Sequence, residues 1–289
     1  AWDNRYQKPD FQIAAWPGRT MSRPRVVWNH NRNQYLVVWN ARDTGTGPPT
    51  DISSALVRRD GHIIDGTNLA TSAYPQQVDV AYGWSKDQYL VVFVRSFTQT
   101  TTGNDIYGLL VSADNEVVTP PGLIKIATGA KNQNRPRVAS DGAGDYTVVW
   151  EHEHHAGDHD IYARKVKKDG APDGAAFPLS TMTADETSPA IAASFNANPE
   201  YVAVWQRATQ SGQMLIGRRW GGGLPMRFFD VIGGEFWEAA NPAVAFNEPR
   251  YWFAWEGDST SNPTIIRHIY GRPWSPNAVM LPLVVRKFR

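Results

Sequence analysis

The stretch Asp87–Phe93 reads DQYLVVF: polar residues, then an apolar run that opens on Tyr and closes on an aromatic. The chain says nearly the same thing five times. NQYLVVW ends at Trp39, DYTVVW at Trp150, EYVAVW at Trp205 and RYWFAW at Trp255. The tyrosines Tyr35, Tyr89, Tyr146, Tyr201 and Tyr251 are 54, 57, 55 and 50 residues apart. In a strand, successive side chains point to opposite faces. In NQYLVVW, Tyr35, Val37 and Trp39 therefore point one way and Leu36 and Val38 the other, and both sets are apolar. Such a strand is dry on both sides, as in a sheet sandwiched between two others.

The flanks repeat as well. A proline precedes each run: Pro24, Pro75, Pro136, Pro189 and Pro242, each followed by a short apolar stretch (RVVW, QQVDVAY, RVAS, AIAASF, AVAF). A third element follows a long loop (DISSALVRRDG, DIYGLLVSADN, DIYARKVKKDG, MLIGRRWGGG, HIYGRPWSPN), and a fourth apolar piece closes most units. Turn residues at Asp60-Gly61, Asp114-Asn115, Asp169-Gly170 and Gly222-Gly223 separate them. No amphipathic helical pattern is present.

Tandem four-stranded units of this length predict an all-β, five-bladed β-propeller of four-stranded antiparallel blades. A parallel β-helix is the rival, but its coils are shorter and lack these hairpin turns. The blades fall at about 22–70, 74–128, 135–181, 188–232 and 241–285 of a single 1–289 domain. The aromatics Trp39, Phe93, Trp150, Trp205 and Trp255 are expected at equivalent inter-blade sites. DFQIAAWPG resembles a fourth strand, so residues 8–16 are expected to close the ring.

Composition narrows the function. Lys plus Arg is 29 against 28 Asp plus Glu, which argues against a nucleic-acid partner. Without cysteine there is no disulfide, thiolate nucleophile or Cys-ligated metal. No apolar run reaches the roughly 18 residues of a membrane span.

YLVVW, a polar loop, then DIYG-x-x-V-x-x-DG resembles the tandem propeller repeats of large bacterial extracellular proteins. The resemblance runs over about 22–289 and fades in the last two units, where Met214 and His268 displace the Asp of DIYG. It implies a propeller and an extracellular or cell-surface setting, with the periplasm as the other option, and it brings no catalytic residues. Sialidase SxDxGxxW boxes, WD40 and kelch signatures are absent.

Function tends to sit on loops carried by a rigid scaffold. Here the long loops, between strands two and three and between blades, share one face. Ligand-binding candidates there are Arg42, Arg95, Glu151, Arg207 and Glu256, with Trp16 and Trp237 as stacking platforms. The expectation is a non-catalytic binding or scaffold propeller whose partner is a glycan or a protein; a homo-oligomer or a component of a larger surface assembly is a further option. The alternative is a carbohydrate-active enzyme. Glycoside hydrolysis needs two acids flanking the scissile bond, about 5–10 Å apart, and Asp79, Glu151 and Glu256 are the acids near the channel. No cofactor is expected beyond an adventitious or structural divalent metal. For that, EHEHHAGDHD supplies His152, His154, His155 and His159. Asp51, Asp105 and Asp160 recur before the third strand and read as turn caps.

Overall fold

The computed structural model describes residues 10–43, 51–71, 75–96, 103–118, 122–196, 198–210, 212–231, 238–258 and 268–275. The chain forms four-stranded antiparallel sheets arranged as a five-bladed β-propeller. Blade one holds β1 (Arg19–Asn29), β2 (Gln34–Asp43), β3 (Asp51–Arg58) and β4 (Ile63–Thr71). Blade two holds β5 (Pro75–Gly83), β6 (Gln88–Ser96), β7 (Asn104–Ser112) and β8 (Ile124–Ala127). Blade three holds β9 (Gln133–Ser140), β10 (Tyr146–His155), β11 (Asp158–Val166) and β12 (Pro172–Ser180). Blade four holds β13 (Glu186–Ala193), β14 (Glu200–Thr209), β15 (Gly212–Gly221) and β16 (Leu224–Asp230). Blade five is described through β17 (Glu238–Asn247), β18 (Arg250–Asp258) and β19 (His268–Trp274). The first strands β1, β5, β9, β13 and β17 lie against one another in that order and line the axis.

The alternation behaves as the pattern requires. Leu36 and Val38 of blade one meet Tyr89, Val91 and Phe93 of blade two. Leu90 and Val92 meet Tyr146, Val148 and Trp150. Val149 meets Tyr201, Ala203 and Trp205. Val202 and Val204 meet Tyr251, Phe253 and Trp255. The five closing aromatics are all buried, none more than 5% exposed. Apolar burial of this kind, about 25 cal/mol per Å², is what holds neighbouring blades together.

The tyrosine that opens each run has its own purpose. Tyr146 donates its hydroxyl to the Gln88 carbonyl of the preceding blade (3.2 Å), Tyr201 to Asp141 Oδ2 (2.6 Å) and Tyr251 to the Glu200 carbonyl (2.9 Å). Tyr89 instead accepts from Asn29 Nδ2 (3.1 Å). Four phenols thus clasp four preceding hairpins. The clasp is close: a Cβ on Gly83 would sit 2.3 Å from the Tyr146 hydroxyl. Burial alone would raise the Asp87 carboxyl. Hydrogen bonds from Tyr82, Asn29 and Arg32 outweigh it and hold Asp87 below the usual range.

Two features differ from the sequence reading. Residues 10–18 form no strand. Residues 8 and 9 of the expected closing strand lie outside the described residues, and Ile13, Ala14 and Trp16 pack instead against Val37, Trp39 and Ala55 of blade one, where apolar side chains cover the open face of its second and third strands. The long loops of blades three and four are extended hairpins: β10 runs to His155 and β11 starts at Asp158, while β14 runs to Thr209 and β15 starts at Gly212. A positive φ of 80° at Gly157 lets blade three turn that tightly.

Candidate functional site

All five first strands carry the same irregularity. Arg23, Gln77, Arg135, Ser188 and Asn241 have φ between 49° and 55°, and the pairing with the second strand shifts register there. A left-handed non-glycine residue costs about 1–2 kcal/mol, and five at one equivalent position are built in rather than accidental. The preceding blade collects the freed N–H groups: Gln77 Oε1 accepts from Arg135 N–H, Glu151 Oε1 from Ser188 N–H, and Gln206 Oε1 from Asn241 N–H (3.1 Å). Four of the five are the residue before a proline, the only trace of the bulge in the sequence.

Two residues beyond each bulge stand Arg25, Asp79, Arg137, Ala190 and Ala243. Asp79 is the only acid among them. Its Oδ2 accepts the Val138 N–H of the next blade (3.0 Å), and its Oδ1 lies 3.5 Å from Arg25 Nε of the previous one. Burial pushes the Asp79 carboxyl above the usual carboxylate range, against the pull of Arg137, the Val138 N–H and Arg25. Arg137 is attracted to both Asp79 and Glu151, while burial lowers its own proton affinity. Glu151 follows Trp150; its Oε1 takes the Ser188 N–H and pairs with Arg135 at 2.8 Å, while Oε2 has no hydrogen bond among the described residues. The long-loop mouth therefore gathers Asp79, Glu151, Arg25, Arg135 and Arg137 from three adjacent blades.

The other sequence candidates fall elsewhere. Glu256 is half-buried on β18. Arg207 directs two guanidinium nitrogens at the sulfurs of Met182 and Met214 (2.9 and 3.0 Å). Arg95 stacks over Tyr107 at 5.6 Å, and Arg42 lies at the end of β2 opposite Thr20. Trp16 is a packing residue, 6.0 Å from Trp39 and covered by Arg19. Trp237 lies outside the described residues. The histidines do not assemble a metal site. His152 Nδ1 is within 2.9 Å of Gln133 Oε1 and His159 Nδ1 within 2.8 Å of Asp185 Oδ1, and His154 and His155 contact each other. Burial, then His154, lowers the proton affinity of His152. Among the described residues no three His, Cys, Asp or Glu side chains are placed to share an ion, because the hairpin spreads these histidines along two strands. Asp51, Asp105 and Asp160 are buried. Asp51 pairs with Arg19 and Asp105 accepts the Gly129 N–H (3.0 Å).

Sequence reasoning missed Glu186. It is fully buried, accepts from Ser180 (2.7 Å) and from the Trp205 indole (3.1 Å), and burial raises its carboxyl. Gln133 does the same for Trp150 (2.8 Å). Their matching place, two residues ahead of the bulge, was the available signal. The reading also missed a cavity of about 650 Å³ at the opposite, short-hairpin mouth of the channel, rimmed by Trp28, Trp84, Phe195 and Phe246.

No family model matches this sequence and no curated protein matches it. Solved structures do share the fold. An α-L-arabinanase from Penicillium chrysogenum, complexed with arabinobiose, superposes with a TM-score of 0.57 at 11% identity, over 84% of this chain and 79% of that one. An endo-arabinase from Bacteroides thetaiotaomicron gives 0.54 at 14% identity, over 89% and 94%. An α-L-arabinofuranosidase from Lactobacillus brevis gives 0.51 at 9% identity, over 88% and 90%. At these identities the likeness shows the fold; the neighbours are glycan-cleaving enzymes by name, which runs against the expectation of a non-catalytic binding or scaffold propeller.

Proposed function

We propose that this chain is a carbohydrate-active hydrolase that cleaves a glycan at the long-loop mouth of its channel. The observation that carries the reading is Asp79: the one acid two residues beyond the bulges of the inner strands, largely buried and with raised proton affinity, in a five-bladed fold whose solved neighbours include arabinan-cleaving enzymes by name. A carboxyl whose proton affinity is raised by burial suits a general acid. Asp79 protonates the departing glycosidic oxygen. Glu151, whose charge is matched by Arg135 and whose Oε2 is uncommitted, serves as the partner carboxylate. Arg25 and Arg137 restrain the Asp79 carboxyl and offer donors to sugar hydroxyls. Arabinan-type pentose polymers are the first substrate class to try, and an extracellular setting fits a polymeric substrate. Release of reducing ends from linear arabinan and a panel of other plant glycans tests the reading. Turnover on at least one, lost in Asp79→Asn, is expected; no turnover on any, or full turnover in Asp79→Asn, refutes it.

A further inference from the structure

The short-hairpin mouth has a different chemistry from the charged one. Its floor is made of Ala81, Ala139, Ala192 and Ala193, contributed by the last turns of the inner strands. Small side chains from successive blades leave the axis open where larger ones would fill it. Around this floor stand large apolar rings left in solvent: Trp28 is 53% exposed, Trp84 43% and Phe195 61%. In a molecule whose other aromatics largely pack between blades, these rings converge on one concavity instead.

The rim is held in place. Ser85 Oγ donates to the Ala143 carbonyl (2.8 Å) and Asn31 Nδ2 to the Trp84 carbonyl (3.3 Å). Gly142 lies so close under Phe195 that an added Cβ would meet its carbonyl oxygen at 2.5 Å. The rings are therefore presented on a stiff frame, which lowers the entropy cost of binding.

The polar inventory selects the ligand. A sugar needs a donor or acceptor for most hydroxyls. Here the Tyr82 hydroxyl is spent on Asp87 (2.7 Å) and the Ser140 hydroxyl faces the Asp145 carbonyl (3.2 Å). What remains is the His30 ring, edge-on to Tyr82 and Trp28, and indole N–H groups at the rim. A volume of about 650 Å³ with mostly apolar walls and one or two polar groups matches small-molecule sites rather than glycan or protein surfaces. We infer that the short-hairpin mouth is a second binding site, separate from the charged mouth, for a small flat molecule of aromatic or alicyclic type with one polar edge directed at His30.

Titration of the full chain with 2-naphthol, followed by tryptophan fluorescence and calorimetry, tests this with arabinose and arabinobiose as competitors. The expected result is one saturable site, weakened about tenfold in both Trp28→Ala and Phe195→Ala, since each removes a ring contact worth about 1.4 kcal/mol. Neither sugar competes. Both variants keep the wild-type melting temperature, because both side chains are exposed. Absence of saturable binding, binding indifferent to both substitutions, or displacement by the sugars overturns the inference. None of these outcomes depends on whether the charged mouth cleaves a glycan.

Discussion

Replacing Tyr201 by Phe removes one oxygen and leaves the ring in place. That hydroxyl donates to Asp141 Oδ2 at 2.6 Å, and both groups are buried. A buried hydrogen bond to a carboxylate contributes about 1.5–3 kcal/mol. Asp141 keeps two backbone donors on its other oxygen, from Ala143 (2.9 Å) and Asp145 (3.0 Å), so it is not stripped bare. The expected loss is about 2 kcal/mol, a fall in Tm of about 4 °C for a chain of this size. Tyr146→Phe and Tyr251→Phe break bonds to neutral carbonyls and should each cost about 1 kcal/mol. Tyr35 faces the 10–18 segment, and its hydroxyl has no partner among the described residues, so Tyr35→Phe should stay within about 0.5 kcal/mol of wild type. Urea unfolding followed by tryptophan fluorescence reads all four. Equal losses at Tyr35 and Tyr201, or no loss at Tyr201, refute the hydroxyl clasp as the link between blades.

Tyr82, Tyr146, Tyr201 and Tyr251 all have proton affinities raised by burial. Their stabilisation is complete below the unfolded value near 10 and is lost as pH climbs above it, so alkaline unfolding monitored by circular dichroism should begin above about pH 10, and Tyr201→Phe should weaken that dependence. The Trp39 indole N–H is buried without a partner among the described residues, whereas Trp150 and Trp205 have Gln133 and Glu186. Met21 holds the matching place, so Met21→Gln should raise stability by about 1 kcal/mol in a denaturant titration. Asp79→Asn should lower kcat at least about 100-fold without lowering Tm, because the amide still accepts the Val138 N–H and sheds an acid whose charged form burial disfavours.

The blades were legible because burial on both faces leaves a mark that alternation alone does not: Leu36 and Val37 are both apolar and both buried. The turns were legible through chemistry that tolerates positive φ, and Gly61, Asn115 and Gly170 all adopt it. The 10–18 segment was misread because its pattern matches a strand, while whether an edge remains free to pair is settled only by tertiary structure. The histidine stretch read as a loop because polar residues dominate it, yet a strand continuing past the sheet's dry zone is polar too. At the site, Asp79 stood out as the one acid in the short apolar stretches that follow the prolines. The bulge that aims it, and the Glu151 contact with Ser188 N–H, depend on inter-blade distances that no sequence pattern carries.

The account turns on Asp79 being a largely buried carboxyl on an inner strand that holds its proton more tightly than a free aspartate. Carbon-13 carboxyl NMR across a pH series, with the resonance assigned by its loss in Asp79→Asn, measures this directly. The account predicts a midpoint above the ordinary aspartate value of about 3.9; a midpoint at or below that value would contradict it.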